Sequence, residues 1–285
     1  MISPLQAIIL GLLQGVSELF PISSLGHSVV LPRLLGWNIH QNDPFFLTFL
    51  VATHFATALV LLSFFWNDWV LIISGIFRSL KEREIKQSDS YAKLGWLLII
   101  GTIPAGVLGL LFEDSLRSFF ASAQSAAFFL TLNGVLLLAG EILRRRTREK
   151  FDLTHSDERV AKISWSQAIK VGLLQSIALI PGFSRTGATI VGSLLVGLSH
   201  EDSLRFSFLL ATPIIGAAAL LKLPELLSYG DQGILLSALI GAFAAAISAY
   251  FTVRFLIKYF KTKTLIPFAL YCLTAGVLIS LYFFR

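Results

Sequence analysis

Gly11-Leu12-Leu13-Gln14-Gly15-Val16-Ser17-Glu18-Leu19-Phe20-Pro21-Ile22-Ser23-Ser24-Leu25-Gly26-His27 is apolar, is then broken by proline, serine and glycine, and leads into a further apolar run. A second stretch is built the same way. Gly172-Leu173-Leu174-Gln175 runs on to Pro181-Gly182-Phe183-Ser184-Arg185-Thr186-Gly187-Ala188-Thr189. Both breaks carry ionisable groups: Glu18 and His27 in the first, Arg185 in the second. In a membrane protein, broken helices at matching positions of two halves mark a binding site. A carboxylate, an imidazole and a guanidinium at such a place need a polar task.

Composition sets the frame. Of 285 residues, 55% are hydrophobic and 14% charged, and the mean hydropathy is +0.76. A soluble domain carries about a quarter charged residues. The chain is therefore an integral membrane protein, and an all-α one, because several apolar runs reach the ~20 residues that span a bilayer. One cysteine, Cys272, excludes an internal disulfide and reads as a packing residue in an apolar run. No cleavable signal peptide is expected, since the first segment lacks a basic start and is interrupted by Gln14 and Glu18. The net charge of +6 reflects membrane orientation, not a nucleic-acid partner.

Six runs read as spans: about 46–66 (or on to 77), 94–112, 124–143, 203–222, 233–254 and 264–284. Two more, about 4–36 and 165–198, are broken near their middles and read as re-entrant helix–loop–helix hairpins. Seventeen of the 23 lysines and arginines lie in segments 78–93, 144–170 and 254–263, which are therefore placed in the cytoplasm. Segments 33–45, 113–123 and 222–232 hold Arg33, Arg117 and Lys222 and face outward, as do both termini. The first hairpin then enters from outside and the second from inside.

The repeat leads to the same arrangement. Phe49-Leu50-Val51-Ala52-Thr53 resembles Phe208-Leu209-Leu210-Ala211-Thr212, and Gly11 and Gly172 lie 161 residues apart. Each half holds one hairpin and three spans. Three is odd, so the halves insert upside down, as an inverted-topology repeat. A single membrane domain of residues 1–285 results. Its repeats cover about 4–143 and 165–284, joined by a basic cytoplasmic loop at 144–164.

Gln14 and Glu18 are four apart and share a helix face. A carboxylate at membrane depth costs at least ~2.5 kcal/mol, so Glu18 faces a cavity, a cation or a metal. Pro21 ends the helix, and the turn after it presents Ser23, Ser24 and His27. His27 suits a general acid or base. The second break joins Ser184, Thr186 and Thr189 to Arg185 at a helix N-terminus, which suits an anion. His54 reads as a supporting or a packing residue. Glu141 reads as a helix-end salt bridge. Glu113, Asp114, Glu201, Asp202 and Arg205 read as solvated span ends. His40, His155 and His200 carry no assignment. An anion clamp, a carboxylate, an imidazole and a serine together suit phosphoryl transfer on a lipid. Ser24, His27 and a water are all candidate nucleophiles.

The chain resembles the bacterial undecaprenyl pyrophosphate phosphatase family, also called the bacitracin-resistance protein family, through most of its length. Gln14, Glu18, Pro21, Ser23, Ser24, Gly26 and His27 match the first family motif. Pro181, Gly182, Ser184, Arg185, Thr186 and Thr189 match the second. Gln14 stands where many members carry Glu, and Thr186 where serine is usual. The resemblance implies an acid anhydride hydrolase of the bacterial inner membrane with its site open to the periplasm. It implies conversion of undecaprenyl diphosphate to undecaprenyl phosphate, the carrier lipid of cell-wall synthesis, and hence bacitracin resistance. It implies a divalent cation, Mg2+ or Ca2+. Combined with the residues, it gives Glu18, His27, Ser24 and Arg185 as catalytic and Gln14, Ser23, Ser184, Arg185, Thr186 and Thr189 as diphosphate-binding. Glu18, with Gln14, is the metal site. The expected partners are a polyprenyl diphosphate lipid and the bilayer, with a homodimer left open. Two other readings compete: a secondary transporter or flippase for a lipid phosphate or other anion, and a lipid-binding scaffold.

Overall fold

The structure is a computed structural model that describes residues 2–39, 43–120, 122–144, 156–228 and 232–283; the side chains of 44, 45, 113–120, 223–228 and 232 lie outside that description. His40, His155, most of the loop 144–164, and the side chains of Glu113, Asp114 and Arg117 therefore fall outside it. The described residues form helices α1 (Pro4–Ser17), α2 (Ser24–Leu34), α3 (Pro44–Phe64), α4 (Trp66–Glu82), α5 (Ser90–Phe120) and α6 (Ala123–Arg144). Then follow α7 (Ser156–Ala161), α8 (Trp165–Gln175), a 3₁₀ turn (Ser176–Leu179), α9 (Arg185–Leu195), α10 (His200–Ser228), α11 (Gln232–Tyr259) and α12 (Ile266–Phe283). Six stretches are long and apolar enough to cross a bilayer: Phe46–Phe64, Ser90–Phe112, Ala123–Arg144, His200–Lys222, Gly233–Tyr259 and Ile266–Phe283. This is a multi-pass membrane protein.

The two broken stretches share local chemistry at equivalent places. Ser3 before α1 and Ser164 before α8 each form a capping box with the glutamine three residues on, Gln6 and Gln167. Ser23 caps α2 by accepting from the Gly26 N–H at 3.2 Å. Ser184 caps α9 by accepting from the Gly187 N–H at 3.0 Å. Gly36 and Gly197 follow these helices with φ of +65° and +98°, the left-handed exit that glycine adopts without penalty. Each of these pairs is separated by 161 residues.

Close helix crossings place the broken stretches. α1 packs on α11 where Gly11 meets the Gly241 carbonyl, and α8 packs on α5 where Gly172 meets the Gly101 carbonyl. α6 and α12 interlock through Gly134 and Gly276. A Cβ at any of these would strike the facing helix, and small residues at membrane helix crossings serve this approach. α3 packs on α10 and α11. Leu61, Leu97, Phe206, Phe208 and Phe260 fill the interior.

Two expectations are corrected. The run from 46 does not continue to 77. Phe65 leaves helical geometry (φ −104°, ψ 27°), and α4 begins at Trp66 as a separate amphipathic helix with Ile72, Gly75 and Ser79 buried. Its polar start explains the break, because Asp68 pairs with Arg205 at 2.9 Å. Asp202 and Arg205 are not solvated. α7 folds back on α10, so that Arg159 donates to both carboxylate oxygens of Asp202 at 2.8 Å. Arg205 donates to Asp157 at 2.5 and 2.9 Å. Glu141, near the end of α6, is paired as expected and is buried; it accepts from His200 Nε2 at 2.8 Å and from the Leu265 N–H at 3.2 Å.

The glycine crossings yield a prediction. Gly11→Val and Gly172→Val should each cost about 1–3 kcal/mol through overpacking, seen as a lower thermal midpoint of the detergent-solubilised protein. Gly106→Ala, at a position with nothing within 4 Å, should leave the midpoint unchanged or raise it.

Candidate active site

The tips of the two broken stretches touch. A Cβ on Gly26 would lie 3.3 Å from the Gly182 Cα, and one on Gly187 would lie 3.3 Å from Pro21 Cβ. Gly182 sits at φ +109° against the α6 backbone, a place closed to larger residues. Ser23 has φ +70°, a region disfavoured for a residue with a Cβ. The strain is held by its capping role and turns α2 so that its first residue faces Glu18.

Glu18, just after α1, is the centre. It is 7% exposed. Arg185 Nη2 donates to Oε1 at 2.8 Å. Gln14 Nε2 donates to Oε2 at 3.1 Å, His54 Nε2 lies 3.2 Å from Oε2, and the Ser24 hydroxyl donates to Oε2. Ser24 and Arg185 are the first residues of α2 and α9, 161 residues apart. Two helix N-termini therefore converge on one carboxylate, and each favours negative charge there. The Glu18 carbonyl accepts from Thr186 Oγ1 at 3.0 Å.

Two buried polar atoms here have no hydrogen-bond partner: Arg185 Nη1 and Gln14 Oε1. The first is a charged donor, the second a neutral acceptor. Buried polar atoms are normally satisfied, so both point to a ligand.

The other expected residues divide. Ser184 caps α9, and its hydroxyl donates to the Phe20 carbonyl at 3.3 Å. Thr189 Oγ1 donates back to the Arg185 carbonyl at 2.7 Å. Ser23, Ser184, Thr186 and Thr189 thus hold backbone and tie the tips together. His27 is at the same tip, but its ring atoms bond elsewhere: Nδ1 lies 2.6 Å from the Ser23 carbonyl and Nε2 lies 2.7 Å from Tyr271 Oη.

Among the described residues, no three His, Cys, Asp or Glu side chains cluster as a metal site. Glu18 is the one carboxylate at the tips, and Gln14 Oε1 is the free neutral oxygen beside it. That donor set fits a hard cation that brings most of its ligands with it, as Mg2+ does when shared with substrate phosphates.

A sequence profile described as "Bacitracin resistance protein BacA" matches residues 7–278. The chain belongs to that family. Among similar members, a protein named "Undecaprenyl-diphosphatase" from Mycolicibacterium paratuberculosis is 46% identical over 293 residues, spanning 96% of this chain and 95% of its own length. "Undecaprenyl-diphosphatase 2" of Chromobacterium violaceum is 45% identical over 280 residues, 96% of each chain. "Undecaprenyl-diphosphatase 2" of Frankia alni is 40% identical over 337 residues, covering 98% of this chain and 97% of its own.

Within this family member, two further site residues come from apolar helices: His54, read from the sequence as either supporting or packing and found to support, and Asn133, which the sequence reading did not single out. His54 lies on α3, and its Nδ1 is 2.7 Å from the Leu50 carbonyl while Nε2 faces Glu18. Asn133 lies on α6, wholly buried. Its Nδ2 donates to the Pro21 carbonyl at 2.9 Å, and its Oδ1 accepts from the Ser184 N–H at 3.0 Å. One amide thereby pins both tips. A polar residue inside an apolar span was the available signal for each.

Asn133→Leu should leave the Pro21 carbonyl and the Ser184 N–H buried and unpaired, at about 1–3 kcal/mol each. A clear drop in the thermal midpoint in detergent is the expected reading, and an unchanged midpoint would refute the pinning role.

Proposed function

We propose that the protein hydrolyses undecaprenyl diphosphate to undecaprenyl phosphate and inorganic phosphate, and so recycles the carrier lipid of cell-wall synthesis. The observation that carries this is the unpartnered Nη1 of Arg185, buried between two helix N-termini beside Glu18. Its free N–H groups and the helix ends suit phosphate oxygens, in the ground state and as charge shifts in the transition state. The names of relatives near 45% identity over almost the whole chain identify which phosphate ester fits.

In this reading the terminal phosphoryl group is attacked in line, the anhydride P–O bond breaks, and the lipid monophosphate leaves; water supplies the oxygen of the released phosphate, either as the attacking group or by hydrolysing the phospho-enzyme that a Ser24 or His27 attack forms. Arg185 holds the phosphate, and Glu18 orients the Arg185 guanidinium and the Ser24 hydroxyl. Ser24, His27 and a water remain the candidate nucleophiles. A divalent cation would be held by Glu18 and Gln14 together with diphosphate oxygens, where it supplies charge neutralisation.

The membrane arrangement proposed with it has two re-entrant hairpins, α1–α2 and α8–α9, in halves of opposite orientation. The matched caps, the 161-residue spacing and the paired glycine crossings support it. Lysine and arginine placement puts 78–93, 144–170 and 254–263 in the cytoplasm. The site then opens to the outer face of the bacterial inner membrane, with both termini outside. The same build favours a second reading, a carrier that flips a lipid phosphate. Phosphate release separates them, since a pure carrier in detergent releases none.

Arg185→Ala should lower phosphate release from undecaprenyl diphosphate by about 10²–10³-fold, with Arg185→Lys intermediate because the planar fork is lost. Chelation by EDTA should abolish turnover of the wild-type protein and Mg2+ or Ca2+ should restore it. Glu18→Gln should fail at every cation concentration; activity with an unchanged cation response would place the metal elsewhere.

A further inference from the structure

His27 bonds neither Glu18 nor Arg185 among the contacts of the site. Its ring is held at both nitrogens by other groups, and the two partners differ in kind. The Ser23 carbonyl, 2.6 Å from Nδ1, can only accept. Nδ1 therefore carries a hydrogen and donates it. The lone pair of the neutral ring is then on Nε2, where the Tyr271 hydroxyl, 2.7 Å away, donates to it. The two ring planes are nearly parallel, 13° apart, with centroids 5.7 Å apart.

Tyr271 is well placed for this and poorly placed for a packing role. It stands on α12, on a face whose neighbours Leu270 and Leu278 are exposed and apolar. A tyrosine on such a face needs a partner for its hydroxyl unless it lies at the membrane edge. Its ring is 43% exposed, whereas the next residue, Cys272, is fully buried against Asn133. The hydroxyl thus reaches across from the second half of the chain to a residue of the first, just as Arg185 reaches to Glu18. Each ionisable group of the first tip has one partner from the other half.

Resting on the proposed hydrolysis, we infer that Tyr271 is a positioning residue for His27. The Ser23 carbonyl sets the Nδ1–H tautomer, and the Tyr271 hydroxyl, donating to Nε2, holds the ring in one orientation. Neither the ring of Tyr271 nor its apolar neighbours contribute; the hydroxyl alone does. A water, or a phosphate oxygen that carries a proton, takes over the place of that hydroxyl as donor when it reaches Nε2.

Tyr271→Phe removes one oxygen from a half-exposed ring and should leave the thermal midpoint in detergent unchanged. Its kcat for phosphate release from undecaprenyl diphosphate should fall about tenfold, a fraction of what a general acid or base provides, with KM little altered. In a His27→Ala background the same change should have no further effect. In ¹⁵N-histidine spectra, with the His27 signals identified by their loss in His27→Ala, the wild type should show Nδ1 protonated and Nε2 accepting a hydrogen bond, and Tyr271→Phe should shift the Nε2 signal while Nδ1 stays protonated. Unaltered His27 signals in Tyr271→Phe overturn the inference, as does full kcat, or an equal loss with His27 absent. Absence of hydrolysis by the wild type would instead overturn the proposed function, and leaves the Nε2 measurement standing as a test of this contact.

Discussion

The ion pair between Glu18 and Arg185 is the constraint on which the rest depends. A carboxylate this deeply enclosed is costly unless it is paired and hydrogen-bonded. The partner comes from the far half of the chain, so neither half can satisfy its own charge. Gln14, Ser24 and His54 complete the shell from the first half. The carboxylate is therefore fixed in place by four donors approaching from four helices, α1, α2, α3 and α9.

Everything around this pair serves to bring two turns to one point. Serine caps start α2 and α9 at the carboxylate, and the helix ends add their partial charges. Asn133 bonds one atom of each turn and so fixes their relative height. The glycine crossings let α11 and α5 approach the broken stretches from behind. At the other end, Arg159 and Arg205 hold α7 to the start of α10. The site is positioned by backbone contacts and short polar side chains, which lose little conformational entropy on ordering.

Much of this was legible in the amino-acid order. Hydropathy gave the six spans, because a bilayer imposes a length on any helix that crosses it. Proline, glycine and serine gave the two breaks, and Gln14, Glu18, Ser24 and Arg185 are brought together as their motifs suggested. What was not legible depends on tertiary contact. His54 and Asn133 sit in apolar helices at spacings that say nothing of what they face. Asp202 and Arg205 looked like solvated termini because their partners, on α7, come from a short helix in a polar segment. His27 looked like a neighbour of Glu18, yet a change of direction at Ser23 turns its ring toward α12.

The 161-residue correspondence stops at the chemistry. Counting on from Glu18 and His27 by that interval reaches Leu179 and Ala188, which have no charge and no proton to exchange. The second tip lends its arginine and keeps nothing acidic for itself. A repeated local scaffold thus encloses one buried carboxylate instead of two, and the polar shell is built once per polypeptide.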